Sequence, residues 1–206
     1  MLAQYVRSRM LLGKQALSRK DDSAALEHFR SALQPPKNLG EAKHLLANQS
    51  ELYYWIGKSY EALGHRVDAT TWWERAAHQH GDFQRMSVCD VSEMTYWTGM
   101  AELALGDREK ASRIFESIYV YSVELEGTTP KIDYFATSLP TMLLFDEDLA
   151  LRNRAQARFL RAQALVGLNR THEAATLLEE VLHLDRNHTG AADLIGQLGI
   201  VPAGAG

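Results

Sequence analysis

Few residues in this chain combine the types and spacing that chemistry requires. His78 and His80 stand two apart in "HQH". A metal site needs three or four converging ligands, and an isolated pair reads as loop surface. His172 opens "HEAAT", which begins like a zinc-protease motif but has no second histidine. Asp146, Glu147 and Asp148 form an acidic triplet that suits a helix start, where carboxylates meet the positive end of the dipole. Cys89, the single cysteine, reads as a free thiol in a linker. Trp55, Trp72, Trp73 and Trp97 have faces that stack on sugar rings, but tryptophan at a helix junction more often packs. No G-x-S-x-G, P-loop or C-x2-C pair is present. The expectation is no catalytic residue, no metal and no cofactor.

The bulk properties narrow the class. The 206 residues are 46% hydrophobic, enough for one substantial core or an array of small ones. The net charge of −4 argues against a nucleic-acid partner, which selects for clustered Lys and Arg. A lone cysteine fits a reducing, cytoplasmic setting. Arg7 and Arg9 interrupt the first apolar stretch, so it does not read as a signal peptide. The longest apolar run, "TMLLF" at 141–145, is too short to span a bilayer.

The organising signal is repetition. "ELYYWIGKSYEALG" (51–64) returns as "EMTYWTGMAELALG" (93–106). From the small residue inside each copy, Gly57 or Gly99, the next fixed points are Ala69 and Ala111, Trp73 and Phe115, then Ala76 and Ile118. Gly13 leads likewise to Ala25, Phe29, Ala32 and Leu33, and Ala162 to Ala174, Leu178, Val181 and Leu182. The later positions in each series share one face of a helix. The small residue sits on the helix before it, where it permits close backbone approach. Turn signals fall between: "LGH" 63–65, "LGD" 105–107 and "LNR" 168–170. Gly and Asn tolerate the left-handed conformation that ends a helix, and Asp107 and Thr171 follow as N-caps. Each unit is therefore a helix–turn–helix hairpin.

This pattern resembles the tetratricopeptide repeat, W-x2-L-G-x2-Y…A-x3-F-x2-A, best in "YYWIGKSY…ATTWWERAA". Four copies are expected at about 6–34, 50–77, 92–119 and 155–184. The third departs from the motif at Glu102, and the fourth at Ala162 and Leu178. The predicted fold is all-α: a right-handed α-solenoid of four hairpins forming a single domain over 1–200. It has an insertion (120–153) with an extra helix near 130–138, a capping helix at 188–198 and a flexible tail at 201–206. The anchors are 44, 42 and 63 residues apart rather than the family's usual ~34, so the linkers are long.

The resemblance implies a concave face built from the first helix of each hairpin. Met10, Tyr54, Tyr96 and Phe159 would form a column along it, either as groove lining or as partial core. Arg7, Lys14, Glu51, Lys58, Glu61 and Glu93 would flank the column. The implied function is a protein-interaction or scaffolding module that takes a peptide, helix or neighbouring domain in this groove, or on an uncapped N-terminal face where a homodimer is also possible. The clamp that some members use for a chaperone's C-terminal carboxylate lacks its asparagines here. "PPKNLGEAK…ELYYWIGKSYEALG" and "PKIDYFATSLPTMLLFDEDLALRNRAQ" also resemble the C-terminal repeat region of large bacterial proteins whose N-terminal part resembles carbohydrate-active enzymes. That resemblance implies an accessory module supporting or dimerising a catalytic part. In a separate enzyme alternative, the 120–153 insertion lends Asp133, Tyr134 and Asp146 to an active site completed by another domain.

Overall fold

The computed structural model describes residues 1–39, 47–84, 87–128 and 149–199. The helices run α1 (Leu2–Ser18), α2 (Asp22–Leu33), α3 (Ser50–Ala62), α4 (Arg66–Ala77), α5 (Glu93–Leu105), α6 (Arg108–Gly127), α7 (Leu149–Gly167), α8 (Thr171–Leu184) and α9 (Thr189–Leu198). A short 3₁₀ turn covers Lys37–Leu39. The chain divides into two compact units, Met1–Ile114 and Phe115–Gly206, and the division falls within α6. The fold is an all-α helical repeat.

One small piece of β structure was not anticipated. Between the second and third expected copies, β1 (Asp82–Gln84) pairs antiparallel with β2 (Ser87–Cys89), in the register Asp82↔Cys89 and Phe83↔Val88. Gly81 adopts φ +65° just before β1. The hairpin end is tied to the preceding linker. Asn48 donates its backbone N–H to Asp82 Oδ1 at 3.1 Å and its side-chain amide to the Gly81 carbonyl at 2.8 Å. Gln49 N–H reaches Gln79 Oε1 at 3.3 Å. The residues that lengthen the first two repeats beyond the usual period therefore bond to one another.

Local chemistry explains the helix ends. Gly64 (φ +80°), Gly106 (φ +94°) and Asn169 (φ +61°) turn the chain between the second, third and fourth helix pairs. Lys20 takes the same left-handed conformation (φ +61°) in the first, where the sequence offers neither Gly nor Asn. Asp21 accepts the Ala24 N–H at the start of α2, and Asp107 accepts the Lys110 N–H at the start of α6. Ser92 and Thr95 form a reciprocal capping box on α5. Thr171 is not a cap: α8 starts at Thr171 itself, behind Arg170, with no side-chain bond.

Two of the small anchors, Gly13 and Gly57, meet an aromatic ring. A β-carbon built on Gly13 would lie 2.5 Å from the Phe29 ring, and one on Gly57 would lie 2.4 Å from the Trp73 indole. These helices can approach only where no side chain intervenes. In the first unit, Met10, Ala25, Phe29, Ala32, Leu52 and Ile56 form a core shared by α1, α2 and α3. In the second, Phe159, Ala162, Leu165, Ala174, Leu178, Val181, Ala191, Leu194 and Ile195 form the core of α7, α8 and α9. Phe115 lies against Gly167, and Phe159 against Gly190.

Two boundaries differ from expectation. α6 continues to Gly127 instead of ending at 119, and α7 begins at Leu149 rather than 155. Both ends of the expected insertion are thus helical extensions. The predicted helix at 130–138, the "TMLLF" segment, the tail at 201–206, and Asp133, Tyr134 and Asp146 lie outside the described residues. Among the described residues no helix is long and apolar enough to cross a membrane.

Candidate partner-binding face

The first unit carries most of the candidate residues, on α1, α3 and α5. Lys14 leaves α1 just after the Gly13 contact and reaches α3, where its Nζ lies 2.8 Å from Glu51 Oε1. The same ammonium lies 5.1 Å from the Trp55 ring centre and 5.4 Å from that of Trp97 on α5. Both distances are within cation–π range. One lysine thus connects three successive hairpins.

Beneath it lies a packed aromatic floor. Trp55 and Trp97 are 5.7 Å apart between centroids, tilted by 57°. Tyr54 lies 5.3 Å from Trp97 and 5.4 Å from Trp55, and Tyr96 lies 5.0 Å from Trp97 edge-on. Such tilted contacts set ring edges against ring faces, which favours them over a flat sandwich. Trp73 N–H donates to the Tyr54 carbonyl at 3.3 Å, locking α4 onto α3.

The proposed aromatic column is therefore buried. Tyr54 and Tyr96 are 8% and 3% exposed, Met10 is 7% and Phe159 2%. Met10 belongs to the core beside Phe29, and Phe159 packs under α9 against Gly190 and 4.6 Å from the His188 ring. Of the two roles the sequence left open for these four, burial puts their side chains in packing. Hydrophobic neighbours of comparable size compete for the same face as a groove, and the spacing that marks that face cannot separate the two. Burial pushes the Tyr54 hydroxyl up to about 12, with the Glu61 charge adding to it. Burial, then Tyr54 and Glu51, raise Tyr96 as well.

The flanking charged residues reach the surface. Arg7, Glu51 and Glu93 are half-buried and Glu61 is exposed. Lys58 pairs with Glu61 along α3. Leu12 is 43% exposed on α1, whereas Ile56, its counterpart on α3, is fully buried against the first hairpin. The first hairpin therefore presents an apolar face that the second one buries.

Residues 155–180, which cover most of α7 and most of α8, match the family described as tetratricopeptide repeat. Among solved structures, the chain is similar to YrrB, described as a TPR protein with an unusual peptide-binding site. That match has 14% identity and a TM-score of 0.30, and covers 91% of this chain and 90% of that one. The family match falls on one helix pair of the second unit.

Two features of this chain depart from the repeat pattern, and both have a local cause. Glu102, where the motif places tyrosine, is 4% exposed and ion-paired with Lys110 from α6. A buried carboxylate needs such a partner. In the second unit, the extended end of α6 is fastened to α7 by charge. Glu126 accepts Arg158 Nε at 3.0 Å and Arg161 Nη2 at 2.8 Å. Arg158 also reaches Glu180 on α8 at 2.9 Å. Burial pushes the Glu126 carboxyl up, but the hydrogen bonds and charges of Arg158 and Arg161 outweigh it and hold it below its ordinary value. Sequence spacing gave no sign of this network, because the helix extension that carries Glu126 lies beyond the repeat motif. Among the described residues, no group of three or more His, Cys, Asp or Glu is placed to hold a metal.

Proposed function

We propose that this chain is a protein-interaction module that takes a peptide, a helix or a neighbouring protein domain on the face carrying Lys14, Glu51, Lys58 and Glu61. One observation supports this reading above others: Lys14 and Glu51, from consecutive hairpins, stand as a bonded pair over a packed aromatic floor. A rigid floor with mixed charge at its rim suits polypeptide recognition, in which buried aromatic and charged groups dominate. The module would need no catalysis of its own. The apolar face of α1 around Leu12 is the second surface on which a partner, or another copy, would dock.

The test is affinity capture from the source cells, with wild type compared to a Lys58→Glu/Glu61→Lys double variant. Both positions are solvent-facing and form a pair along one helix, so the exchange should leave helicity unchanged. Loss of a specific co-purified protein, with circular dichroism unaltered, supports the face. Retention of that protein by the double variant, with its loss on Leu12→Lys, moves the site to the α1 surface and overturns the groove reading.

A further inference from the structure

The relation of Lys14 to the rings around it goes further. The ammonium lies over Trp55 and Trp97 and is neutralised by Glu51. These walls come from α3 and α5, while the cation comes from α1. Nothing about the walls requires that the cation belong to this chain. Two indole faces and a carboxylate are the chemistry that binds an alkylammonium from any source.

Lys14 is also poorly fixed by its own helix. The close packing of α1 is made by the preceding residue, Gly13, against Phe29. The lysine side chain is a flexible four-carbon stem that can rotate toward solvent without moving the backbone once its contacts with Glu51 and the two indoles break. Glu51 remains 26% exposed and Lys14 14%, so the cage opens to solvent on the side where the two meet. A vacated cage would leave the half-buried Glu51 carboxylate without its counter-charge. A second cation is the group that restores the balance.

We infer that the Trp55–Trp97–Glu51 cage is a recognition pocket for a cationic lysine-type side chain of a polypeptide partner, and that Lys14 fills it in the free protein. This inference rests on the protein-interaction reading above and names the partner group. Lys14 then acts as an internal competitor. Its occupancy lowers the fraction of molecules able to bind and so weakens apparent affinity.

The experiment uses the whole chain and n-butylammonium as the probe, a copy of the lysine side-chain end. Binding is followed by the indole N–H signals of Trp55 and Trp97 in NMR. The Lys14→Met variant keeps the apolar stem and removes the charge. It should bind butylammonium about tenfold or more tightly than wild type, by release of the competing fraction. Lys14→Met/Glu51→Gln should lose that gain. A folded Lys14→Met variant with no gain overturns the inference. If Lys14→Met does not fold, wild type titrated with excess butylammonium decides: displacement shifts at both indoles support the cage, and their absence overturns it. With the partner captured through the Lys58/Glu61 face, Lys14→Met should bind more tightly. Unchanged partner affinity alongside a tight butylammonium site leaves the interaction reading standing and overturns the partner-group assignment.

Discussion

The Trp73 indole occupies the space that a side chain on Gly57 would need: an added β-carbon would lie 2.4 Å from the ring nitrogen. That nitrogen donates to the Tyr54 carbonyl, and Trp73 is 5% exposed, so the ring cannot retreat. Gly57→Ala should therefore destabilise the first unit by about 1–3 kcal/mol, despite alanine's better helix propensity. All four tryptophans lie in this unit, so the fluorescence midpoint in urea reports it directly. An unchanged or raised midpoint would show that the helices separate freely here.

Phe159 holds α9 onto the second unit through Gly190 and His188. Phe159→Ala should cost about 3–5 kcal/mol, through lost burial and the cavity left behind. Amide exchange should show α9 and the end of α8 losing protection first. Uniform protection in α9 would contradict its dependence on this ring.

The Glu126 network makes the second unit acid-sensitive. Its carboxyl is held below the ordinary 4.5, with two arginines outweighing the opposite effect of burial. A depressed folded value means that the stabilisation is fully present above the unfolded pKa. It is lost as pH falls below about 4.5 and through the lower folded value. Exchange protection of α6 and α7 amides should differ between wild type and Glu126→Gln at pH 7. That difference should shrink steadily below pH 4.5, the unfolded value. A gap constant from neutral to acid pH would exclude the carboxylate as its source.

Asn48 couples the first two linkers by bonds to Asp82 and Gly81. Asn48→Ala removes the side-chain bond to Gly81 and the Asn48 Oδ1 acceptor of the Ser50 N–H. The expected loss is about 1–3 kcal/mol, with cleavage in 82–89 by limited proteolysis accelerated while the α3–α4 pair stays intact. Equal cleavage rates would mean that the strand pairing stands without the linker.

The tyrosines supply an alkaline counterpart. Tyr54 is raised to about 12 by burial first and the Glu61 charge second. A raised folded value contributes stability below the unfolded pKa of 10.0 and loses it as pH climbs toward 12. Tyr54→Phe should flatten the fall in urea midpoint between pH 9.5 and 11, the approach to that window. A fall as steep as that of wild type would assign it to other groups.

The repeat itself was legible in the residues. Gly13 and Gly57, each sixteen residues before Phe29 or Trp73, marked which helices approach and which rings fill the wedge. A close approach allows only one residue type, so it leaves a mark in sequence. Gly64, Gly106 and Asn169 marked the turns for the same reason, while Lys20 takes the same conformation without a residue type that signals it. The site was less legible. Periodicity finds the face of a helix but not what covers that face, so Tyr54, Tyr96, Met10 and Phe159 had the right spacing for a groove and are buried. Lys14 was visible as a flanking charge, yet its position over Trp55 and Trp97 depends on three helices converging. The β1–β2 pairing, the α6 extension and the Arg158–Glu126–Arg161 bridge likewise have no repeat spacing to betray them. Local rules of backbone conformation and steric size were written into the sequence residue by residue. The meeting of a cation, a carboxylate and two indoles from separate helices was decided only when the hairpins packed, because no single segment holds all four.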